Sequence, residues 1–228
     1  MTLTVYEDVP QGSDEWLALR CGILTASEVS KLITAKTLKL AANDHSRALV
    51  MEKTAQRITG EIEPQFVGDD QIRGIEQEPV ARDYYRKIQD DVREVGFITR
   101  DFGGFVIGCS PDALVGDDGG WEVKCPRQKG HIATVLSGEV PEIYTLQVQT
   151  SLLVTGRKWW DFSSFYGGLP MPTIRVYPDE RIHAAILEAA KTFEDMVSDN
   201  VRRWDGMVKG DLRMVETEKV IEEEVYLG

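Results

Sequence analysis

The sequence predicts a mixed α/β fold of the α+β kind, with one central mixed β-sheet flanked by helices. Three observations carry that expectation. Runs rich in valine, isoleucine and aromatics, VREVGFI at 92–98, GGFVIGCS at 103–110 and GWEVKC at 120–125, follow one another between glycines and aspartates, as paired strands do. On either side lie stretches with apolar residues at helical spacing and capping signals at their ends. A length of 228 residues, 42% hydrophobic and 28% charged, suits a single core. One domain is expected over 1–212, followed by an acidic tail at 213–228.

Residues 14–33 read as helical in two pieces. Trp16, Leu17 and Leu19 precede a break at Cys21-Gly22, and Thr25-Ala26-Ser27-Glu28 resembles a second start with Thr25 or Ser27 as its cap. Residues 44–59 start at a capping Asp44 and stop at Gly60. A helix over about Asp70 to Ile88 contains Pro79, which should kink it or delay its start. The three strand runs then form a meander of neighbours. Residues 143–156 read as a buried helix, 159–166 and 173–177 as further strands, and 180–204 as a long amphipathic helix behind Asp179.

Composition narrows the function. The formal net charge of -12 argues against a simple nucleic-acid binder, which normally carries a basic footprint. That objection weakens if the charges are segregated, because the local field decides where a polyanion docks. Residues 216–224 hold five glutamates against one lysine, whereas Arg20, Lys31, Lys36, Lys39 and Arg47 lie towards the front. The start of the chain lacks a basic region followed by an apolar run, and no stretch of about 18 apolar residues occurs. A cytoplasmic protein with no membrane partner is expected. Three cysteines without CxxC spacing should be reduced thiols, and His45, His131 and His183 offer no metal-ligand pair.

The chemistry concentrates in SPDALVGDDGGWEVKCP. Asp112 follows Pro111 at the end of one strand run, and Glu122 and Lys124 lie two apart in the next, so alternation points both to one face. If the strands pair through the turn from Gly116 to Gly120, the three side chains converge. Two carboxylates and a main-chain carbonyl are hard oxygen ligands suited to Mg or Mn, and a neighbouring ammonium helps deprotonate an attacking water. Such a site hydrolyses phosphodiesters. Taken alone, the same residues also fit a turn aspartate and a solvated strand pair.

The triad resembles the PD-(D/E)xK nuclease superfamily. The longer segments GSDEWLALRCGILTASEV (12–29), CSPDAL (109–114), WEVKCP (121–126) and LQVQT (146–150) resemble, in order, the phage lambda exonuclease branch of viral recombination exonucleases. The resemblance implies a restriction-endonuclease-like core and a two-metal site. Asp112 would bridge two Mg2+ ions, for which Mn2+ could substitute, Glu122 and the Val123 carbonyl would complete one shell, and Lys124 would handle the water. Glu78, in Gly74-Ile75-Glu76-Gln77-Glu78, matches the earlier acidic residue near the metals, and Gln147 matches the helical glutamine of the site. Arg20 matches the arginine at the 5'-terminal phosphate, with Thr25, Ser27 and Ser110 as hydroxyl partners. From the residues alone, Arg20 could equally pair with Glu15 or Glu28.

By this resemblance the chain would be an ATP-independent 5'-to-3' exonuclease of linear double-stranded DNA. It would work as a homotrimeric ring beside a single-strand annealing protein, in a host cytoplasm if encoded by a phage. A structure-specific endonuclease and a non-catalytic DNA-end binder are the alternatives. Two features depart from the pattern. Thr150 and Ser151 stand where relatives often carry a tyrosine, and Gly68-Asp69-Asp70 is acidic where a DNA-facing segment should be basic.

Overall fold

The computed structural model describes residues 2–64, 68–210 and 213–219. The chain opens with β1 (Thr2–Tyr6) and a short helix, α1 (Asp14–Arg20), whose N-cap Ser13 accepts the Trp16 N–H at 3.2 Å. The short β2 (Leu24–Thr25) leads into a 3-10 turn over Ala26–Lys31, then the hairpin β3 (Ile33–Thr34) and β4 (Lys39–Leu40). Helices α2 (Asp44–Thr59) and α3 (Asp69–Tyr85) precede β5 (Val92–Arg93), β6 (Phe97–Asp101), β7 (Val106–Cys109), β8 (Ala113–Val115) and β9 (Gly119–Lys124). The order closes with α4 (Gln128–Ser137), α5 (Glu142–Thr155), β10 (Trp159–Ser164), β11 (Thr173–Val176) and α6 (Glu180–Val208).

Several local expectations are corrected. The cap of α2 is Asn43, not Asp44: the Asn43 side chain accepts the Ser46 N–H at 3.0 Å, while Asp44 already lies in the first turn and pairs with Arg47. Its other end is as expected, with Gly60 in the left-handed region (φ 75°) and its N–H on the Gln56 carbonyl. The second piece of 14–33 is helical as expected, but it is a 3-10 helix over Ala26–Lys31, with Thr25 at its N-cap. Helix α3 runs through Pro79 and ends at Tyr85. Strand β1 and helix α4 had no counterpart in the sequence reading. The tail lies outside the described residues from 220 onward; before that, Lys219 reaches Glu61 at 2.6 Å.

The expected meander divides into two mixed sheets. One has the order β1-β6-β7-β2, the other β11-β10-β9-β8-β5. Residues 92–98 are split between them, since β5 pairs with β8 and β6 with β1 and β7. Ser110-Pro111-Asp112 joins β7 in the first sheet to β8 in the second, so this one segment serves both. Strands β9 and β10 are parallel, with α4 and α5 between them in sequence.

Packing fixes the register of β9. Trp121 and Trp160 are fully buried, and Trp121 stacks on Tyr85 of α3 at 4.7 Å between ring centroids. Gly120 has no room for a larger residue: a Cβ there would fall 2.2 Å from the Trp160 ring. The larger apolar cluster gathers residues from the 3-10 turn, β6, β7, α5 and α6, including Val29, Ile98, Ile107, Leu146 and Phe193. Helix α3 packs on β9 through Tyr85 and Trp121, in a second cluster with Ala113 and Val123, while α5 belongs to the larger one.

Candidate active site

The register β8 to β9 pairs Ala113 with Trp121, which sets Asp112 beside Glu122 at the open end of the hairpin. The Asp112 Oδ2 accepts the Val123 N–H at 2.6 Å. On the same face of β9, the Lys124 Nζ donates to Glu122 Oε1 at 2.6 Å, and the Gln147 Nε2, from α5, donates to that same oxygen at 2.6 Å. Helix α3 adds Glu78, so Glu78, Asp112, Val123 and Lys124 line one cleft of about 430 Å³ with Cys125 and Tyr144. The five side chains singled out for catalysis are thus brought together from three elements and one loop.

Charge in the cleft is unbalanced. Burial pushes the Asp112 carboxyl well above the usual range, and Glu122 and Glu78 push it further. Burial also raises Glu78, against the pull of Arg82. For Lys124 burial disfavours the ammonium, but Glu122 and Asp112 outweigh it and hold the group charged. The Cys125 thiol is pushed up to about 12 by burial beside Asp112 and Glu78, which keeps it protonated at neutral pH. The second oxygen of Glu122, Oε2, is buried without a hydrogen-bond partner.

Among the described residues no group of three His, Cys, Asp or Glu side chains is placed to hold a metal ion by itself. Glu78, Asp112 and Glu122 are three such side chains, so as placed they do not converge on one point, and the Val123 carbonyl would have to complete any shell they form. Donor chemistry and charge do fit a hard divalent cation: oxygen donors predominate, negative charge is in excess, and one buried carboxylate oxygen has no partner.

Arg82 was missed from sequence. It is buried, bonds the Asp112 carbonyl through Nε at 3.1 Å, and pairs with Glu78 on the preceding turn and with Glu94 at 2.9 Å. The four-residue spacing to Glu78 was the available signal. Arg73 and Arg127 were missed too. Both meet at Asp70 Oδ1, at 2.7 and 2.8 Å, on the rim of the cleft.

The residues singled out for a terminal phosphate also assemble, around Ser110, two residues before Asp112. The Arg20 NH1 donates to Ser110 Oγ at 3.1 Å, and its guanidinium lies 4.1 Å from the Trp16 ring centroid. Trp16 Nε1 donates to the same Ser110 Oγ at 3.0 Å. With two donors on its oxygen, the Ser110 hydroxyl is left to donate outward. Burial lowers the Arg20 pKa, an effect Glu28 partly offsets, and a guanidinium remains charged throughout. Ser27 is exposed beside the pocket, 3.3 Å from Thr25. Thr25 is buried, and its hydroxyl donates to Glu28 at 2.7 Å, so it presents only lone pairs to Arg20. Arg20 pairs with neither Glu15 nor Glu28.

Comparison with known proteins bears on the whole arrangement. No curated protein matches the chain. The model of the YqaJ-like viral recombinase domain matches residues 15–158, a span that includes both residue clusters. An alkaline exonuclease from Laribacter hongkongensis, LHK-Exo, is similar at TM-score 0.76 and 31% identity, over 85% of this chain and 96% of that one. Its complex with dAMP is similar at TM-score 0.74 and 32% identity, over the same shares. A phage-related exonuclease from Haemophilus somnus 129PT shares the fold at TM-score 0.57 and 14% identity, over 80% and 96%. The chain therefore belongs to the YqaJ-like viral recombinase family, and its mixed sheets flanked by helices are the fold of an alkaline exonuclease.

Proposed function

We propose that this protein is a Mg-dependent, ATP-independent exonuclease that degrades the 5'-terminated strand of linear double-stranded DNA. The observation that carries the proposal is the adjacency of two clusters: the carboxylates and ammonium around Asp112, and the Arg20 receptor at Ser110, two residues away. Two residues of chain span at most about 7 Å. A terminal phosphate on Arg20 therefore places the neighbouring linkage at the carboxylates, which gives the enzyme its polarity. Family membership supports the nuclease reading, as does a relative named an alkaline exonuclease whose structure holds dAMP, a deoxynucleoside monophosphate.

Asp112, Glu122, Glu78 and the Val123 carbonyl would hold Mg2+, two ions in all, with Mn2+ as a substitute. Bound there, the metal supplies Lewis-acid polarisation of the phosphoryl oxygen and an acidified water. The chain's own groups do the rest. Gln147 orients Glu122 through its amide, Arg82 fixes Glu78 and the Asp112 backbone, and Lys124 steers the proton of the attacking water. Ser110 donates to the terminal phosphate with Arg20, Ser27 would join it by turning its proton away from Thr25, and Thr25 accepts from the guanidinium. The remaining 3' strand suits a single-strand annealing partner, and a ring of three copies would guide the DNA past an acidic exterior. The cytoplasm is the proposed location.

The test is Asp112→Asn. It keeps an acceptor for the Val123 N–H but removes the charge, so cleavage of 5'-phosphorylated duplex should fall at least about a hundredfold while end binding persists. Unchanged cleavage would remove the proposed chemistry, and absence of cleavage in the wild type would make the protein an end binder.

A further inference from the structure

Lys53, on α2, is buried, with 3% of its side chain exposed, and neither the cleft nor the phosphate receptor touches it directly. Burying an ammonium is unfavourable unless it is paired. Its partner is Glu28, with Nζ 2.9 Å from Oε1. The other Glu28 oxygen accepts the Thr25 N–H at 3.0 Å and the Thr25 hydroxyl at 2.7 Å. Thr25 Oγ1 in turn faces Arg20 NH2 at 3.5 Å. A single chain of contacts thus runs from the interior to the anion receptor.

We propose that Lys53 is a positioning residue for that receptor, keeping Glu28 from capturing Arg20. The inference rests on the terminal-phosphate reading of the pocket. Glu28 is the carboxylate linked to Arg20 through Thr25, yet the two form no ion pair, because Lys53 occupies one Glu28 oxygen and Thr25 the other. Arg20 therefore keeps its fork for Ser110 and for an incoming anion. With Lys53 gone, the uncompensated carboxylate becomes the strongest nearby attraction for the guanidinium, in surroundings of low dielectric. It also repels the phosphate. The ligand class selected by this device is a phosphate monoester at a DNA end, as against a 5'-hydroxyl end.

The experiment compares the rates of Mg-dependent digestion of linear duplexes carrying 5'-phosphate or 5'-hydroxyl ends, well below the melting temperature of each variant. Lys53→Met should raise KM for phosphorylated ends about tenfold or more, the scale of one charge-assisted contact, with kcat and the rate on hydroxyl ends unchanged. Lys53→Arg, and Lys53→Met combined with Glu28→Gln, should each recover the preference. A folded Lys53→Met that keeps the wild-type preference would overturn the inference, as would an equal loss on both kinds of end or a double variant that fails to recover. A wild-type enzyme indifferent to the phosphate would remove the pocket reading itself, and the role of Lys53 with it.

Discussion

Glu28 holds its negative charge in a place that disfavours it. Burial raises its pKa, but Lys53 and the Thr25 hydrogen bonds outweigh burial and leave the carboxyl below its usual range. An unfolded glutamate titrates near about 4.3. The pair's stabilisation is therefore complete above that value and disappears as pH falls through the lower value of the folded state. Thermal melts should show Lys53→Met costing about 3–5 kcal/mol at pH 7 and converging with wild type in acid; a pH-independent gap would contradict the pairing. This pair was not legible in the sequence, because Lys53 and Glu28 are 25 positions apart and lysine is normally read as a surface residue. The convergence of Asp112, Glu122 and Lys124 was legible, because period-two alternation and one glycine turn suffice to bring them together. Thr25 shows the limit: its hydroxyl was read as a phosphate donor, and only the placement of Glu28 reveals that its proton is already committed.

At the scale of elements, β9 is held by its neighbours more than by its own propensity. Gly119 and Gly120 let Trp159 and Trp160 of β10 lie against the strand that carries Glu122 and Lys124. Gly120→Ala would press a methyl group into the Trp160 ring and should destabilise the fold by about 1–3 kcal/mol. Activity should fall with it, as a melting curve and a digestion rate on the same sample would show. Helix α3 answers a question left by the sequence, namely why an acidic segment enters a DNA-facing rim. Asp70 lies between Arg127 and Arg73, and their hydrogen bonds hold its carboxyl below the usual range. Asp70→Asn should release both arginines and lower KM for DNA a few-fold with kcat unchanged; a raised KM would show that Asp70 organises the arginines instead. Helices α2 and α6 were legible from caps and periodicity, and α5 as an apolar run ending at Gly156. The division into two sheets was not, because alternation marks a strand but not its partner, and α4 was hidden by glycine and β-branched residues within QKGHIATVLS.

For the whole molecule, a net charge of -12 has to coexist with a polyanionic substrate. The expected basic front is only partly free to help: Lys36 pairs with Glu142 and Arg47 with Asp44. On the cleft the cations are local: Arg20 lies inside its pocket, and Arg73 and Arg127 lie on the rim, where Asp70 pairs with both. Among the described residues no helix is long and apolar enough to cross a membrane. A molecule of this charge would gain DNA affinity from a few placed cations rather than from a general field. Its grip should then depend on the chemistry of the DNA end. The most direct measurement is digestion, with Mg2+, of linear duplexes labelled at the 5' or the 3' terminus, alongside closed circles. Early release of the 5' label as a mononucleotide, late release of the 3' label and intact circles are expected; nicked circles or first release from the 3' terminus would contradict a polar exonuclease built on Arg20 and Asp112.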